Sequence, residues 1–174
     1  MQKPRRAWRI GIWLRLLLAG WRPGRNVWKK VTIPNGASIF PEAQRVLSDF
    51  GKLKFGNKHD DNVVIIGPLV KANLLDSIKH LQGMLKTQLY PIAIWGSVDE
   101  TYILIDEKGI VYKLHFCPTS SSTSYWLTPF ASSFEQSLTY LLPCTEPQEE
   151  IKADLRSAGI DFKEWEYEGA PLAS

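Results

Sequence analysis

The chain has 174 residues, 44% hydrophobic and 22% charged, an ordinary balance for one globular domain with a sizeable core. Its two cysteines, Cys117 and Cys144, exclude a disulfide framework and stand at no metal-type spacing, so reduced thiols and a cytoplasmic home are expected. The net charge of +3 conceals opposite ends: residues 1–30 carry nine bases and no acid, and residues 145–174 carry eight acids and three bases.

The start, "MQKPRRAWRIGIWLRLLLAGW", combines bases with an apolar run. Arg9 and Arg15 interrupt that run, and no small-residue cleavage site follows. The unbroken piece is shorter than the roughly 7–15 residues of a signal peptide and the ~20 of a membrane span. Ile10, Trp13, Leu14, Leu17, Leu18 and Trp21 recur at helical spacing. They predict an amphipathic helix docked on the core, with a membrane-surface helix as the alternative. Gly20 ends it, and Pro23-Gly24 is turn chemistry. "VWKKVTI" reads as a strand. "FPEAQRVLSDFG" is the best-marked helix: Pro41 suits its first turn, Ala43, Val46, Leu47 and Phe50 line one face, and Gly51 stops it.

"KLKF" and "NVVIIGPL" read as short strands around a polar turn. Leu74, Leu75, Ile78, Leu81 and Leu85 predict the next helix. "LYPIAIW", "TYILID" and "IVYKLHF" then form a three-strand meander, with "DEKG" as a type I turn followed by a glycine bulge. "CPTSSSTSYWLTP" reads as a long polar loop. "SSFEQSLTYLL" carries a capping box from Ser132 to Glu135, and "TEPQEEIKADLRSAG" one from Thr145 to Gln148. "IDFKEWEY" is strand-like or extended. These elements predict an α+β fold: a central antiparallel sheet with helices packed mainly on one side. No linker divides it, so residues 1–168 are expected as one domain and 169–174 as a disordered tail.

Catalytic chemistry is hard to find. Asp99, Glu100, Asp106 and Glu107 sit in the two turns of the meander, where water is close and their pKa values should be ordinary. The turns lie at opposite ends of "TYILI", roughly 17 Å apart at ~3.3 Å per residue, too far for a paired acid and base. The four acids are either plain turn residues or an acidic rim facing a partner. His59, His80 and His115 form no metal-binding pattern, so neither a metal nor another cofactor is expected. His115 and Cys117 share one side of an extended chain, but nothing in the sequence supplies the orienting group of a Cys–His couple. No phosphate-cradling glycine motif occurs. "GKLKFGNK" lacks the aromatic pairs of a base-stacking sheet. The seven tryptophans supply large anchors for a core or an interface. A binding module is therefore favoured over an enzyme.

The order of landmarks resembles the SUKH superfamily, in the subgroup of bacterial immunity proteins described as its third. Gly20, Trp21, Gly24 and Arg25 match its Gly-Trp…Gly-Arg segment. Phe50, Gly51 and Leu53 match a "FGGL"-like turn, with Lys52 where a glycine is common. Tyr90 and Pro91 match its "YP" strand, with Ala93 where a glycine is common. Asp106, Gly109, Val111 and Tyr112 match its "DE.G.VY" strands. The resemblance covers about residues 10–142 and leaves 145–168 as an added helix and strand. It implies an α+β immunity protein that binds and neutralises a toxin domain, often a nuclease or nucleic-acid deaminase, without catalysis. Its partner would be the cognate protein toxin, with no small-molecule substrate. Trp95, Asp99, Glu100, Asp106 and Glu107 are the expected partner-binding residues, with Trp95 equally suited to the core. The alternative is a nucleic-acid or anionic-surface binder using the basic first 30 residues.

Overall fold

The computed structural model describes residues 10–33, 38–56, 63–68, 72–96, 101–118, 123–143 and 147–169. Helix α1 (Ile10–Leu18) ends at Gly20, whose φ of +90° suits a residue without Cβ. Trp21 N–H donates to the Leu16 carbonyl (2.9 Å) and Gly20 N–H to that of Leu17 (3.0 Å), closing the helix end as a Schellman motif. Leu16 is fully buried, and Ile12, Ala19 and Trp21 pack against the core. The expected docking stripe is thus rotated: Trp13, Leu14, Leu17 and Leu18 face outward.

The expected strand at "VWKKVTI" is absent. Asn26 Oδ1 accepts from Trp28 N–H (3.0 Å), and Trp28–Lys30 form a 3₁₀ turn. An Asx bond captures this backbone locally before any strand can. Helix α2 (Pro41–Phe50) buries Ala43, Val46, Leu47 and Phe50, the face that its periodicity marks.

The sheet has strands β1 (Lys54–Phe55), β2 (Val64–Ile66), β3 (Leu89–Trp95), β4 (Thr101–Asp106), β5 (Val111–Pro118), β6 (Thr123–Ala131) and β7 (Trp165–Gly169). They lie side by side in chain order, each antiparallel to its neighbour. Strand β6 corrects the loop expected at "CPTSSSTSYWLTP". Tyr125 and Leu127 are buried on one face of the sheet, while Trp126 and Thr128 point to the other. Pro129 sits where the β5–β6 register shifts, a place where a missing N–H is tolerated.

Helices α4 (Phe134–Leu141) and α5 (Gln148–Ser157) join α1 and α2 over one face, around Phe50, Ile92, Ile103, Ile105, Phe134 and Leu155. Helix α3 (Ala72–Leu85) covers the other face, with Leu74, Ile78 and Leu81 against Tyr102, Leu104, Leu114 and Leu127. An α+β fold with helices mainly on one side of an antiparallel sheet is what the sequence predicts.

The caps differ in register from expectation. Ser133, not Ser132, caps α4, its Oγ accepting from Gln136 N–H (3.2 Å). Gln136 returns the bond by accepting from Ser132 N–H (3.1 Å). Helix α5 begins after Pro147 with no side-chain cap, and Thr145 lies outside the described residues.

Candidate interaction site

The β4–β5 hairpin turns through Asp106-Glu107-Lys108-Gly109. Gly109 N–H donates to the Asp106 carbonyl (3.0 Å), and Gly109 takes φ +87°, as a type I turn with a glycine bulge requires. Asp106 corrects one expectation. It is not in contact with water but 2% exposed, and its carboxylate is consumed by the hairpin. Oδ1 accepts from Lys108 N–H (2.9 Å) and Ile110 N–H (2.8 Å), and Oδ2 from the Tyr112 hydroxyl (3.2 Å). Burial nevertheless raises its pKa above the ordinary 3.8, outweighing the pull of these donors. Burial and the neighbouring carboxylate push the Tyr112 hydroxyl upward as well.

Glu107 is exposed at the tip of this turn, within reach of the Thr87 hydroxyl (3.5 Å). Trp95 stands at the other end of β4, paired with Thr101. Five residue steps separate the two ends, roughly 17 Å at ~3.3 Å per residue. Trp95 is 6% exposed, its ring edge-on to Phe130 (6.2 Å) and beneath the Lys113 ammonium (4.7 Å). Asp99 and Glu100 lie outside the described residues. Of the three expected partner-binding residues that are described, Glu107 is at the surface, Asp106 is buried beside it, and Trp95 is buried at the far end of β4.

The strands bring together a different group. Trp95, Thr101, His115 and Trp126 are successive cross-strand partners, so they share the face that α4 and α5 cover elsewhere. Thr101 Oγ1 and His115 Nδ1 are 3.1 Å apart. Lys113, 4% exposed, occupies the next row on the same face. Between these strands and α5 lies a cleft of about 220 Å³. Trp126, Phe130 and Phe162 line it with aromatic surface, Lys113 with its ammonium, His115 with its imidazole, and Gln148 and Glu164 with polar groups. An aromatic cleft with a buried cation suits one flat or carboxylate-bearing side chain of a partner. Sequence reasoning passed over Lys113. The alternation in "VYKLHF" was the available signal, because it sets Lys113 and His115 on the same side as Val111, opposite the buried Tyr112 and Leu114. Among the described residues, no three His, Cys, Asp or Glu side chains are grouped to hold a metal ion, and no helix is long and apolar enough to cross a membrane.

The residues that carry the family resemblance have structural work. Trp21 stacks on Phe50 (6.0 Å, 10° between planes), joining α1 to α2. Arg25 donates to the carbonyls of Asp49 (3.0 Å) and Gly51 (2.7 Å) at the negative end of α2. Burial pulls the Arg25 pKa down, opposed by the charge of Asp49. Tyr90 lies under Phe40 (6.4 Å, edge-on), and its buried hydroxyl is pushed up to about 12 by desolvation. Ala93 is buried beside the β3–β4 register shift, its methyl part of the core. Asp106, Gly109 and Tyr112 tie the hairpin.

No curated protein and no solved structure matches the chain. The family model of the SUKH-3 immunity protein matches residues 14–128, from α1 into β6, and includes the α1–α2 joint, the sheet through β5 and the Asp106 hairpin. A match over well over half of the chain, on a fold whose joints these residues make, shows that the chain belongs to the SUKH-3 immunity protein family.

Proposed function

We propose that this protein binds and neutralises the toxin domain of a bacterial polymorphic toxin system, acting in the cytoplasm as a partner and not as an enzyme. Family membership carries the reading. A nuclease or nucleic-acid deaminase is the favoured toxin, since an enzyme that handles polyanions presents a basic surface. Asp99, Glu100 and Glu107 would steer that surface in, and complementary charge acts mainly on the rate of encounter. Trp95 and Asp106 hold the strands that present these acids. The aromatic cleft around Lys113 and His115 would take a toxin side chain at the centre of the contact, where anchors contribute most.

The test is affinity capture of the tagged protein from its own cells, with and without added nuclease, at two salt concentrations. One stoichiometric protein partner should survive nuclease treatment. Its expression alone should arrest growth, and co-expression of this chain should restore it. Bound nucleic acid that leaves with salt, with no protein retained, would reject the proposal.

A further inference from the structure

Helix α1 has two apolar stripes, and the fold uses one. Leu16 is 0% exposed, with Ile12 and Ala19 packed beside it. Arg15 Nη1 donates to the Leu142 carbonyl at the end of α4 (2.7 Å), while Trp13, at the edge between the two sides, rests one flank on Trp21 (4.9 Å, edge-on) and leaves the other to solvent. The helix is therefore pinned on its inner side. Its outer side presents Trp13 (37% exposed), Leu14 (56%), Leu17 (48%) and Leu18 (79%) to solvent. Scattered exposed leucines need no explanation, but four large apolar side chains grouped on nine residues of helix form a patch that marks an interaction site.

Charge identifies what the patch fits. Residues 1–30 carry nine bases and no acid. Arg22, Lys29 and Lys30, just beyond the helix, are exposed. A second copy of the chain would bring two such basic segments face to face, so self-pairing is opposed. Nucleic acid would engage the bases but gain nothing from Leu14, Leu17 and Leu18. A bilayer with anionic headgroups meets both features. Leucine and tryptophan side chains enter the boundary between headgroups and acyl chains, while arginine and lysine lie against the phosphates.

We infer that the outer face of α1 docks on an anionic lipid bilayer, with Trp13, Leu14, Leu17 and Leu18 inserted and the surrounding bases at the headgroups. The attachment is peripheral, since no helix among the described residues can span a membrane.

Flotation of the full-length protein with vesicles tests this. Protein should float with phosphatidylcholine–phosphatidylglycerol vesicles and stay behind with phosphatidylcholine alone. The triple variant Leu14→Ser, Leu17→Ser, Leu18→Ser should lose flotation. Neutralising Arg22, Lys29 and Lys30 to Gln should weaken it at low salt, roughly fivefold per charge. A polarity-sensitive dye on Leu18→Cys should shift to the blue on anionic vesicles. Should the triple variant misfold by near-ultraviolet circular dichroism, Leu18→Ser alone, at the most exposed of the four positions, still has to weaken flotation. Absence of flotation would overturn the inference, as would flotation indifferent to the leucines. A wild-type dimer in sedimentation that the leucine substitutions dissociate would assign the patch to a second copy instead. Nucleic-acid binding that ignores the leucines, with no vesicle binding, would assign the bases to a polyanion.

Discussion

Lys52 holds φ at +64°, the left-handed region, directly after α2 and its closing Gly51. That conformation costs a residue with a Cβ about 1–2 kcal/mol, and glycine is the usual occupant at a helix end. The departure from the family's "FGGL"-like turn is thus a cost carried by one side chain. The main chain stays in use, because Lys52 N–H donates to the Ile66 carbonyl (2.7 Å) and fixes the turn against β2. Lys52→Gly should raise stability by about 0.5–1 kcal/mol after glycine's greater freedom in the unfolded chain is set against the gain, read as a higher urea midpoint with unchanged slope. Asp106 is the opposite case, a side chain whose removal is expensive. Asp106→Ala should cost about 2–3 kcal/mol, because it leaves three donors behind in a buried turn. The pH dependence has a definite sign. Its folded pKa lies above the unfolded value near 3.8, so its favourable contribution is full below that value and is lost as pH rises through the raised one. Asp106→Asn has no such loss. The stability advantage of wild type over this variant should therefore shrink as pH rises from below 3.8 through the raised pKa in urea titrations; an advantage that grew with pH would contradict the shift.

Among the elements, α4 illustrates how a start signal can be right in kind and wrong by one position. Two adjacent serines precede Phe134, and the sequence does not distinguish them. The structure uses Ser133 with Gln136, so Ser133→Ala should cost about 1 kcal/mol. Ser132→Ala removes only a side-chain bond from the Ser132 hydroxyl to Gln136 Oε1 and frees no helix N–H, so it should cost less, which a pair of thermal melts would rank. The helix α2 was legible because cap, apolar stripe and stop agree within ten residues. Strand β6 was not, because a serine run and Pro129 suggest a loop, and only its partners β5 and β7 draw it into the sheet. The segment around Trp28 went the other way: its β-branched residues suggest a strand, but Asn26 supplies a closer partner for the backbone. For α1, periodicity identified a helix but not its docked face. Ile12, Leu16 and Ala19 form a second stripe, and only the surface offered by α2 and the end of α4 decides between the two. The cleft was hidden for a related reason: Trp126, Lys113 and Phe162 are distant in sequence and meet through strand register alone.

At the scale of the whole molecule, charge is unevenly placed, and polar bonds tie the helices of one layer to one another. Arg45, held by Glu42 of its own helix (2.6 Å), joins α2 to α4 through Glu135 (2.7 Å). Asp154 joins α5 to α4 by accepting from Gln136 Nε2 (2.6 Å) and the Tyr140 hydroxyl (2.6 Å). If the acids near the meander steer a basic toxin, reversing Asp99 and Glu100 to Lys should slow association strongly at low salt. The effect should fade toward physiological ionic strength, as stopped-flow mixing with the captured toxin would record. An unchanged rate would remove the acidic rim from the mechanism. The strict chain order of the seven strands has a different consequence, in time and not in space. Each strand's sheet partner is the one made just before it, so a chain leaving the ribosome can add strands one by one without waiting for a distant segment. The exception is α1, whose Arg15 reaches a carbonyl 127 residues later. Helix α1 can thus settle on α2 through Trp21 and Phe50 early in synthesis, but its bond to the end of α4 closes only after the strands between them have been made.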